Sequence, residues 1–291
     1  MTRWLVTGAG GMLGSDLLAV LGGQAGARVT VTTRADLDVT DAAAVKAAVA
    51  GHDLVVNAAG WTDVDRAEAC EAEAAEVNGT AVANLATACA ATGARLLHVS
   101  TDYVFAGDGR EPYPEDHPTA PVNAYGRGKL AGEQAVARLL PGDGYVVRTA
   151  WLYGEHGRNF VTTMLRLAAE RDTLEVVDDQ HGQPTWSYAL AGRLVALGDA
   201  ALAGRAPAGI YHGTASGRTT WYGLARAVFG LRGLDPDRIR PTTSERFVRP
   251  AARPAFSVLR HDRWRLAGLP PMADWHEQLT EALSGDWPAP H

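Results

Sequence analysis

The stretch WLVTGAGGMLG, residues 4–14, decides the fold of this 291-residue chain. It joins a short apolar run to glycines at positions 8, 11 and 14 and to apolar residues at helical spacing over Leu13–Leu21. Glycine has no Cβ, so the turn can be tight, and the helix N-terminus that follows presents free N–H groups to an anion. The order strand, turn, helix therefore predicts that Gly8, Gly11 and Gly14 hold the diphosphate of a dinucleotide.

Outward from this turn, apolar runs alternate with helical patterns through the first half of the chain. Strands are expected at Arg3–Thr7, Arg28–Thr33, Asp53–Asn57, Arg95–Ser100 and Tyr145–Thr149. Helices are expected at Ala42–Ala50, Val64–Ala75, Thr80–Ala91 and Tyr125–Leu140. This order, without hairpin signals, predicts an α/β fold with a Rossmann-like, doubly wound parallel sheet. Four prolines within 101–124 break the pattern and indicate a functional loop.

Beyond residue 153 the composition changes to short strands and Pro/Arg-rich loops. Helices are expected at Asn159–Glu170, Ser187–Ala203, Thr220–Phe229 and Ala273–Leu283. We interpret residues 1–155 and 187–204 as a cofactor-binding domain, and residues 156–186 and 205–291 as a smaller α/β substrate-binding lobe. The tail Asp286–His291 is expected to fray.

Composition excludes several classes of function. With 27 basic and 33 acidic residues the net charge is −6, and no Lys/Arg run favours nucleic-acid binding. No window approaches the roughly 20 apolar residues that span a bilayer, and the first residues lack the features of a signal peptide, so we expect a cytoplasmic protein. Cys70 and Cys89 form no C-x-x-C pair and are expected to be reduced core residues. The dispersed histidines show no ligand spacing, so no metal site is predicted.

The residue about 20 positions beyond the glycine turn distinguishes NADH from NADPH. Arg34 stands there, after Thr32 and Thr33, and favours the 2′-phosphate of NADPH over NADH. The alternative is an exposed loop cation. Asp36 and Asp38 keep NADH possible, since either carboxylate could reach the adenosine half.

The segment NAAG, residues 57–60, puts small residues at the carboxyl edge of the sheet, where a cofactor passes close to the backbone. Ala58, Ala59 and Gly60 are therefore expected to contact the cofactor, with Thr62 and Asn78 adding polar contacts. For Asn78, a buried hydrogen-bonded helix residue is an equal alternative.

Tyr125 and Lys129 are one turn apart on one face of a predicted helix. A carbonyl that accepts hydride needs a proton, and a phenol transfers it better when a nearby cation stabilises the phenolate. Ser100, Thr101 and Asp102 end a strand and supply a hydroxyl to orient the carbonyl. Together with the glycine turn, this pattern predicts a ketone reductase.

The chain resembles the extended short-chain dehydrogenase/reductases, and within them the dTDP-4-dehydrorhamnose reductase family. The matching stretches are NAAGWTDVDRAEA (57–69), STDYVFAGDG (100–109), NAYGRGKLAGE (123–133), RTAWLYGEHGRNFVTTML (148–165), DDQHGQPT (178–185), GIYHGTASGRTTW (209–221) and RPAARPAFSVL (249–259). The resemblance implies NADPH-dependent reduction of the C4 ketone of a dTDP-4-keto-6-deoxy sugar, with Tyr125 as proton donor, Lys129 as its activator and Thr101 as carbonyl partner. It also implies cofactor contacts from Met12, Leu13, Asp38, Val39, Ser100, Tyr125 and Lys129.

Substrate contacts are expected mostly from the second lobe. A dTDP-sugar carries two phosphates, a pyrimidine and an apolar methyl, so its site needs guanidinium, amide and aromatic groups. Arg253 is expected to clamp the diphosphate, Asn159 to open an anion-favouring helix, and Trp151 and Trp221 to pack on sugar or base. Further candidates are Thr101, Asp102, Tyr103, Gln183 and Thr185.

Three alternatives stay open. The preferred product is dTDP-L-rhamnose, but the same chemistry serves other dTDP-deoxysugars, such as dihydrostreptose in secondary metabolism. A non-catalytic cofactor-binding subunit is a third possibility. Some members of the resembled family form magnesium-bridged dimers through clustered glutamates, whereas this chain offers Asp16, Trp186 and Tyr188, so no metal-bridged dimer is predicted. The chain is expected to be a monomer or a homodimer.

Overall fold

The computed structural model describes residues 1–285, so the tail Asp286–His291 lies outside the described residues. The strands are β1 (Thr2–Thr7), β2 (Ala27–Thr32), β3 (Leu54–Asn57), β4 (Arg95–Thr101), β5 (Gly144–Thr149), β6 (Leu152–Tyr153), β7 (Leu174–Val177), β8 (His181–Gly182), β9 (Thr185–Trp186), β10 (Gly209–His212), β11 (Thr219–Thr220) and β12 (Ile239–Thr242). The α-helices are α1 (Met12–Gly22), α2 (Ala42–Val49), α3 (Val64–Ala69), α4 (Glu71–Ala75), α5 (Ala81–Thr92), α6 (Ala124–Leu139), α7 (Phe160–Glu170), α8 (Ser187–Leu202), α9 (Trp221–Leu231) and α10 (Trp275–Ser284).

A six-stranded sheet forms the centre of the molecule, in the order β2-β1-β3-β4-β5-β10. All its neighbouring strands are parallel. The prediction of a doubly wound parallel sheet is therefore confirmed. The strand order reverses between β1 and β3, and ligands of such sheets bind outside the carboxyl ends at the reversal. The glycine turn follows β1 and the NAAG segment follows β3, so both flank this crevice.

Helices cover both faces of the sheet because its inner strands are apolar on both sides. One core cluster packs α1 and α8 against β1, β3 and β5, with Trp4 and Leu194 fully buried. The opposite cluster packs α2 and α5 against the sheet around Leu85 and Val146. The sheet is thereby held rigid beneath the crevice.

The predicted helix Val64–Ala75 is not continuous. It breaks at Cys70, where φ is −130° and ψ is 47°, and a wide π-type turn over Glu76–Thr80 then leads into α5. The reason is tertiary: a Cβ at Gly132 would stand 2.4 Å from the Asn78 carbonyl oxygen, so this turn packs directly on α6. Cys70 is consequently half-buried at the break, whereas Cys89 is buried, and both are free thiols.

One strand beyond the expected boundary at residue 205 joins the main sheet. The sequence-based division places Gly209–His212 in the second lobe, but this strand extends the main sheet as the parallel neighbour of β5. The crossover through α8 returns the chain to the sheet edge, and Trp264, further along, packs in the same core.

The second lobe has its own small core. There β7 and β12 form a parallel pair, packed by α7, α9 and α10 around Val228 and Phe229. The Pro-rich 101–124 segment forms one short helical turn and then a loop, as predicted, with Phe105 and Tyr113 packing on Val258. None of the helices within residues 1–285 is long and apolar enough to cross a membrane.

Candidate active site

The glycine turn is built by close backbone contacts. Gly8 has φ +73°, and a Cβ there would stand 2.5 Å from the Ala59 nitrogen, so the NAAG segment lies against the turn. A Cβ at Gly14 would stand 2.3 Å from the Gly8 carbonyl oxygen, so α1 packs tightly on the strand end. Gly11 caps α1 with no side-chain hydrogen bond, and the first turn holds no acidic residue. The helix N–H groups thus fit a diphosphate. Met12, next in the chain, is half-buried against Gly154.

Both carboxylates beyond β2 accept hydrogen bonds within their own turns, each through one oxygen. Asp36 accepts from Thr33 N at 2.9 Å and Thr33 Oγ1 at 2.7 Å. Asp38 accepts from Thr40 N at 3.0 Å and Thr40 Oγ1 at 2.7 Å. These hydrogen bonds hold the pKa of each carboxyl below its usual range. Arg34 is exposed, and its contact with a 2′-phosphate stays a prediction. Val39 is half-buried and Leu13 is buried, each packed against a core cluster.

Sequence reasoning missed Asn57 as the residue that joins three strand ends. Its Oδ1 accepts from Thr7 Oγ1 at 2.7 Å and from Ala59 N at 3.2 Å. Its Nδ2 lies 3.0 Å from Nδ1 of His98. Burial of the imidazole and the charge of Lys129 both hold the pKa of His98 well below its usual range. Neutral His98 therefore accepts this bond. An asparagine as the last residue of a buried strand was the available signal.

Asn78 secures the chain after NAAG. Its Oδ1 accepts from Trp61 N at 2.9 Å and its Nδ2 donates to Trp61 O at 3.0 Å. This pairing matches the structural alternative, and a cofactor contact from Asn78 stays a prediction. A Cβ at Gly60 would stand 3.8 Å from Lys129 Nζ, so the NAAG segment reaches the predicted catalytic lysine. Thr62 is exposed at the end of this segment.

The start of α6 is fixed by a residue that sequence reasoning did not single out. Asn123 caps the helix, its Oδ1 accepting from Gly126 N at 2.8 Å. Its Nδ2 donates to Ala252 O at 2.9 Å, which ties the second-lobe loop to the helix. A Cβ at Gly126 would stand 2.2 Å from the Tyr103 carbonyl oxygen. The first turn of α6 therefore lies directly on the end of β4, where Thr101 sits.

This packing brings Thr101, Tyr125 and Lys129 together. Burial raises the pKa of Tyr125 to about 12, although a hydrogen bond with Thr101 lowers it, so the phenol is protonated at neutral pH. Lys129 is 5% exposed and donates from Nζ to Val99 O at 2.6 Å. Burial lowers the pKa of Lys129 to about 8, with the Glu133 charge opposing, which leaves the ammonium largely charged at neutral pH.

A buried ion pair lies beneath this group. Arg148 donates to Glu133 through Nε at 2.9 Å and Nη2 at 2.7 Å, and both side chains are almost fully buried. Ser100 Oγ donates to the same carboxylate at 2.5 Å. The Ser100 hydroxyl is thus committed to Glu133, and its contact with a cofactor stays a prediction. Fifteen residues separate Glu133 from Arg148, so no local spacing revealed the pair.

Two tryptophans from the second half of the chain stack on each other. The rings of Trp151 and Trp221 lie 3.6 Å apart with an interplanar angle of 8°. Trp221 Nε1 donates to Gln180 Oε1 at 3.0 Å, and Trp151 has φ +47°, an uncommon backbone for a bulky residue. A Cβ at Gly182 would stand 2.4 Å from the Trp151 ring. The pair forms a half-buried aromatic surface.

Arg253 pairs with Asp65 of α3 at 3.0 Å and lies over the Tyr103 ring at 5.9 Å. Its guanidinium therefore lies at the junction of the lobes, where the predicted diphosphate contact would be made. In this structure its partner is the carboxylate of Asp65. Asn159 caps α7, accepting from Thr162 N at 3.0 Å and donating to Gly154 O at 2.8 Å.

Gln183 and Thr185 are buried and bonded within the protein. Gln183 Oε1 accepts from Leu259 N at 2.8 Å and from Thr214 Oγ1 at 2.9 Å, and Thr185 Oγ1 donates to Gln183 O at 3.1 Å. Substrate contacts from both residues stay predictions. Within residues 1–285 no group of three or more His, Cys, Asp or Glu side chains could hold a metal ion.

Comparisons with known proteins agree with this geometry. A family model described as the RmlD substrate binding domain matches residues 2–286. The chain is 58% identical over 283 residues to a dTDP-4-dehydrorhamnose reductase of Streptomyces griseus, covering 97% of this chain and 93% of that protein. It is 52% identical over 283 residues to a dTDP-4-keto-6-deoxy-D-glucose reductase of Streptomyces niveus, covering 97% and 96%. A solved dTDP-4-dehydrorhamnose reductase of Bacillus anthracis, in complex with NADP, has a TM-score of 0.92 at 36% identity, covering 98% of this chain and 99% of that one.

Proposed function

Since the chain belongs to the RmlD substrate binding domain family, we propose that it is an NADPH-dependent reductase acting on the C4 ketone of a dTDP-4-keto-6-deoxyhexose. The preferred substrate is dTDP-4-dehydro-L-rhamnose and the product is dTDP-L-rhamnose. The observation that carries the proposal is the meeting of Thr101, Tyr125 and Lys129 beside Gly60 at the sheet crevice. The intact set also favours an enzyme over a non-catalytic subunit.

The residues divide the chemistry between them. When bound, NADPH supplies the hydride for the ketone carbon. Tyr125 holds a proton at neutral pH and gives it to the carbonyl oxygen as that oxygen gains negative charge. The Lys129 ammonium, one helical turn away, stabilises the phenolate that this transfer creates. Thr101 orients the carbonyl, and the phenol regains its proton from solvent.

The proposed preference for NADPH rests on two groups, the N-terminus of α1 and the guanidinium of Arg34. The uncapped start of α1 fits a diphosphate, and Arg34 offers a guanidinium where the 2′-phosphate is expected. Asp36 and Asp38 each use one carboxylate oxygen in their own turns, so the preference for NADPH rests on Arg34 and not on the loss of these carboxylates. The NADP named for the Bacillus anthracis relative supports the same choice.

Substrate binding is assigned to the junction of the lobes. Arg253 would exchange Asp65 for the substrate diphosphate, and the surface of Trp151 and Trp221 would pack on the sugar or the base. We propose a cytoplasmic location, which the use of NADPH and a nucleotide sugar supports. We assign it as a monomer or homodimer.

A second substrate is favoured by a specific relative. The protein of Streptomyces niveus, 52% identical, is named for reduction of dTDP-4-keto-6-deoxy-D-glucose. The two sugars differ in stereochemistry and place the same ketone at C4, so the catalytic groups would serve either one.

A product-resolved assay tests both candidates. The protein is incubated with each enzymatically prepared dTDP-4-keto sugar and with NADPH or NADH, and the products are identified by NMR. We expect dTDP-L-rhamnose with faster turnover on NADPH. Exclusive reduction of the second sugar would replace the preferred substrate, and no reduction of any dTDP-4-keto sugar by a protein that binds NADPH would contradict the enzyme assignment.

A further inference from the structure

The carboxyl of Asp102 has no part in the chemistry derived above, yet it touches the catalytic hydroxyls. Asp102 follows Thr101 in the chain and is 3% exposed. Its Oδ1 accepts a hydrogen bond from Thr101 Oγ1 at 2.9 Å. The inference drawn from this contact rests on the proposed ketone reduction.

The Thr101 hydroxyl has one proton and three partners. Besides Asp102, its oxygen accepts from Tyr103 N at 3.1 Å, and it lies near enough to the Tyr125 phenol to lower the pKa of that phenol. An ionised carboxylate can only accept, so Thr101 must donate its proton to Asp102. When the two hydroxyls form a hydrogen bond, the phenol can then only donate to Thr101. In this state both protons point toward Asp102 rather than toward a ketone.

A protonated Asp102 reverses this chain of hydrogen bonds. Its O–H donates to Thr101, which frees the Thr101 proton for the ketone oxygen and leaves the Tyr125 proton available for transfer. We propose that Asp102 is a positioning residue whose carboxyl, by accepting or donating the hydrogen bond to Thr101, decides whether the Thr101 and Tyr125 protons face the ketone. The neutral carboxyl is the form that supports ketone reduction.

The surroundings allow Asp102 to change protonation within the working pH range. Burial raises the pKa of this carboxyl to about 6, while hydrogen bonds from Ser257, Thr101 and backbone N–H groups favour the ionised form. The negative charge of Asp102 in turn raises the pKa of Tyr125. The titratable and charged groups that face Asp102 or its neighbour in this cluster are Tyr103, Tyr125, Arg253 and Asp65.

The test is the pH profile of kcat for ketone reduction between about pH 5 and about pH 8, in the wild type and two variants. The wild type should lose at least about tenfold as the carboxyl ionises, since removing a transition-state donor altogether costs on the order of 10²–10³-fold. Asp102→Asn should show no such fall, because its amide never ionises and always offers an N–H to Thr101. Ser257→Ala removes a neighbouring hydroxyl that favours the ionised form, so the fall should move to higher pH.

An Asp102→Asn profile that keeps the fall would overturn the proposal, as would a Ser257→Ala profile that does not move. If Asp102→Asn does not fold, as judged by thermal melting, the Ser257→Ala profile decides.

A second readout does not depend on turnover. Carboxyl carbon NMR of aspartate-labelled protein follows Asp102 directly, through the resonance that Asp102→Asn lacks. Its midpoint should lie near pH 6 and rise in Thr101→Val, which loses the hydrogen bond that favours ionisation. An unchanged midpoint in Thr101→Val refutes the coupling even if no ketosugar is reduced, whereas a raised midpoint without turnover refutes only the proposed function.

Discussion

Replacing Lys129 by methionine is expected to stabilise the protein while abolishing catalysis. The ammonium is buried and its pKa falls from 10.5 to about 8. At about 1.4 kcal/mol per pH unit, the charged form at pH 7 costs the folded state about 3 kcal/mol. Methionine keeps the length and apolar stem but loses the hydrogen bond to Val99 O, worth about 1 kcal/mol. The net expectation is an increase of about 2 kcal/mol in the free energy of unfolding.

The assay is urea unfolding of wild type and variant, without nucleotide, from pH 7 to pH 10.5. The folded state binds fewer protons than the unfolded chain between about pH 8 and 10.5, so wild-type stability gains from Lys129 as pH rises through this window. The advantage of Lys129→Met should therefore be present at pH 7 and vanish by pH 10.5. Lys46→Met, at the chain's other lysine on the exposed side of α2, is the control and should change little. A Lys129→Met protein less stable than wild type at pH 7 would refute the reasoning.

Three further outcomes follow from the site. Tyr125→Phe should lower turnover on the order of 10²–10⁴-fold with NADPH affinity nearly unchanged, measured by steady-state kinetics and fluorescence titration; a near-wild-type rate would remove the phenol from proton transfer. Arg34→Ala should weaken NADPH far more than NADH, with exposed Arg28→Ala as control, and equal losses for both nucleotides would contradict a 2′-phosphate contact. Glu133→Gln leaves the buried Arg148 charge without its counter-ion and should lower the free energy of unfolding by roughly 3 kcal/mol; an unchanged urea midpoint would argue against the buried pair.

Local patterns predicted most of the secondary structure because strand and helix periodicities depend on neighbouring residues. The core helix with Tyr125 and Lys129 begins at Ala124, one residue before the prediction. The break at Cys70 was not predictable from helix propensity, since the surrounding residues are good helix formers. The turn beyond the break packs on α6, where a Cβ at Gly132 would stand 2.4 Å from the Asn78 carbonyl oxygen, and only the folded chain defines this contact.

In the candidate site, too, local spacing predicted some residues, whereas others could be found only in the folded chain. Residues whose roles follow from motif spacing, such as Tyr125 and Lys129, could be named from sequence together with the resemblance to a family. Side chains that act through distant partners could not, because Asn57 meets His98 and Asn123 meets Ala252 only after strands and lobes are assembled. Predicted contacts from Gln183 and others rest on the resemblance, and their side chains are already hydrogen-bonded inside the protein.

With a net charge of −6, the protein as a whole does not attract two anionic nucleotides. Charges more than about 8 Å away are largely screened at physiological salt, so attraction must come from groups in the cleft. The two groups assigned to phosphates differ in what binding requires. Arg34 is exposed beyond β2, whereas Arg253 already pairs with Asp65 at 3.0 Å. On the proposed contacts, cofactor binding would add an ion pair and substrate binding would exchange one. The net gain from the exchange would be the difference between a diphosphate and a carboxylate as partners of one guanidinium. Asp65 would keep its contacts with Ala251 N at 3.3 Å and Arg249 at 3.7 Å, so the second-lobe loop stays tied to α3 when Arg253 changes partner.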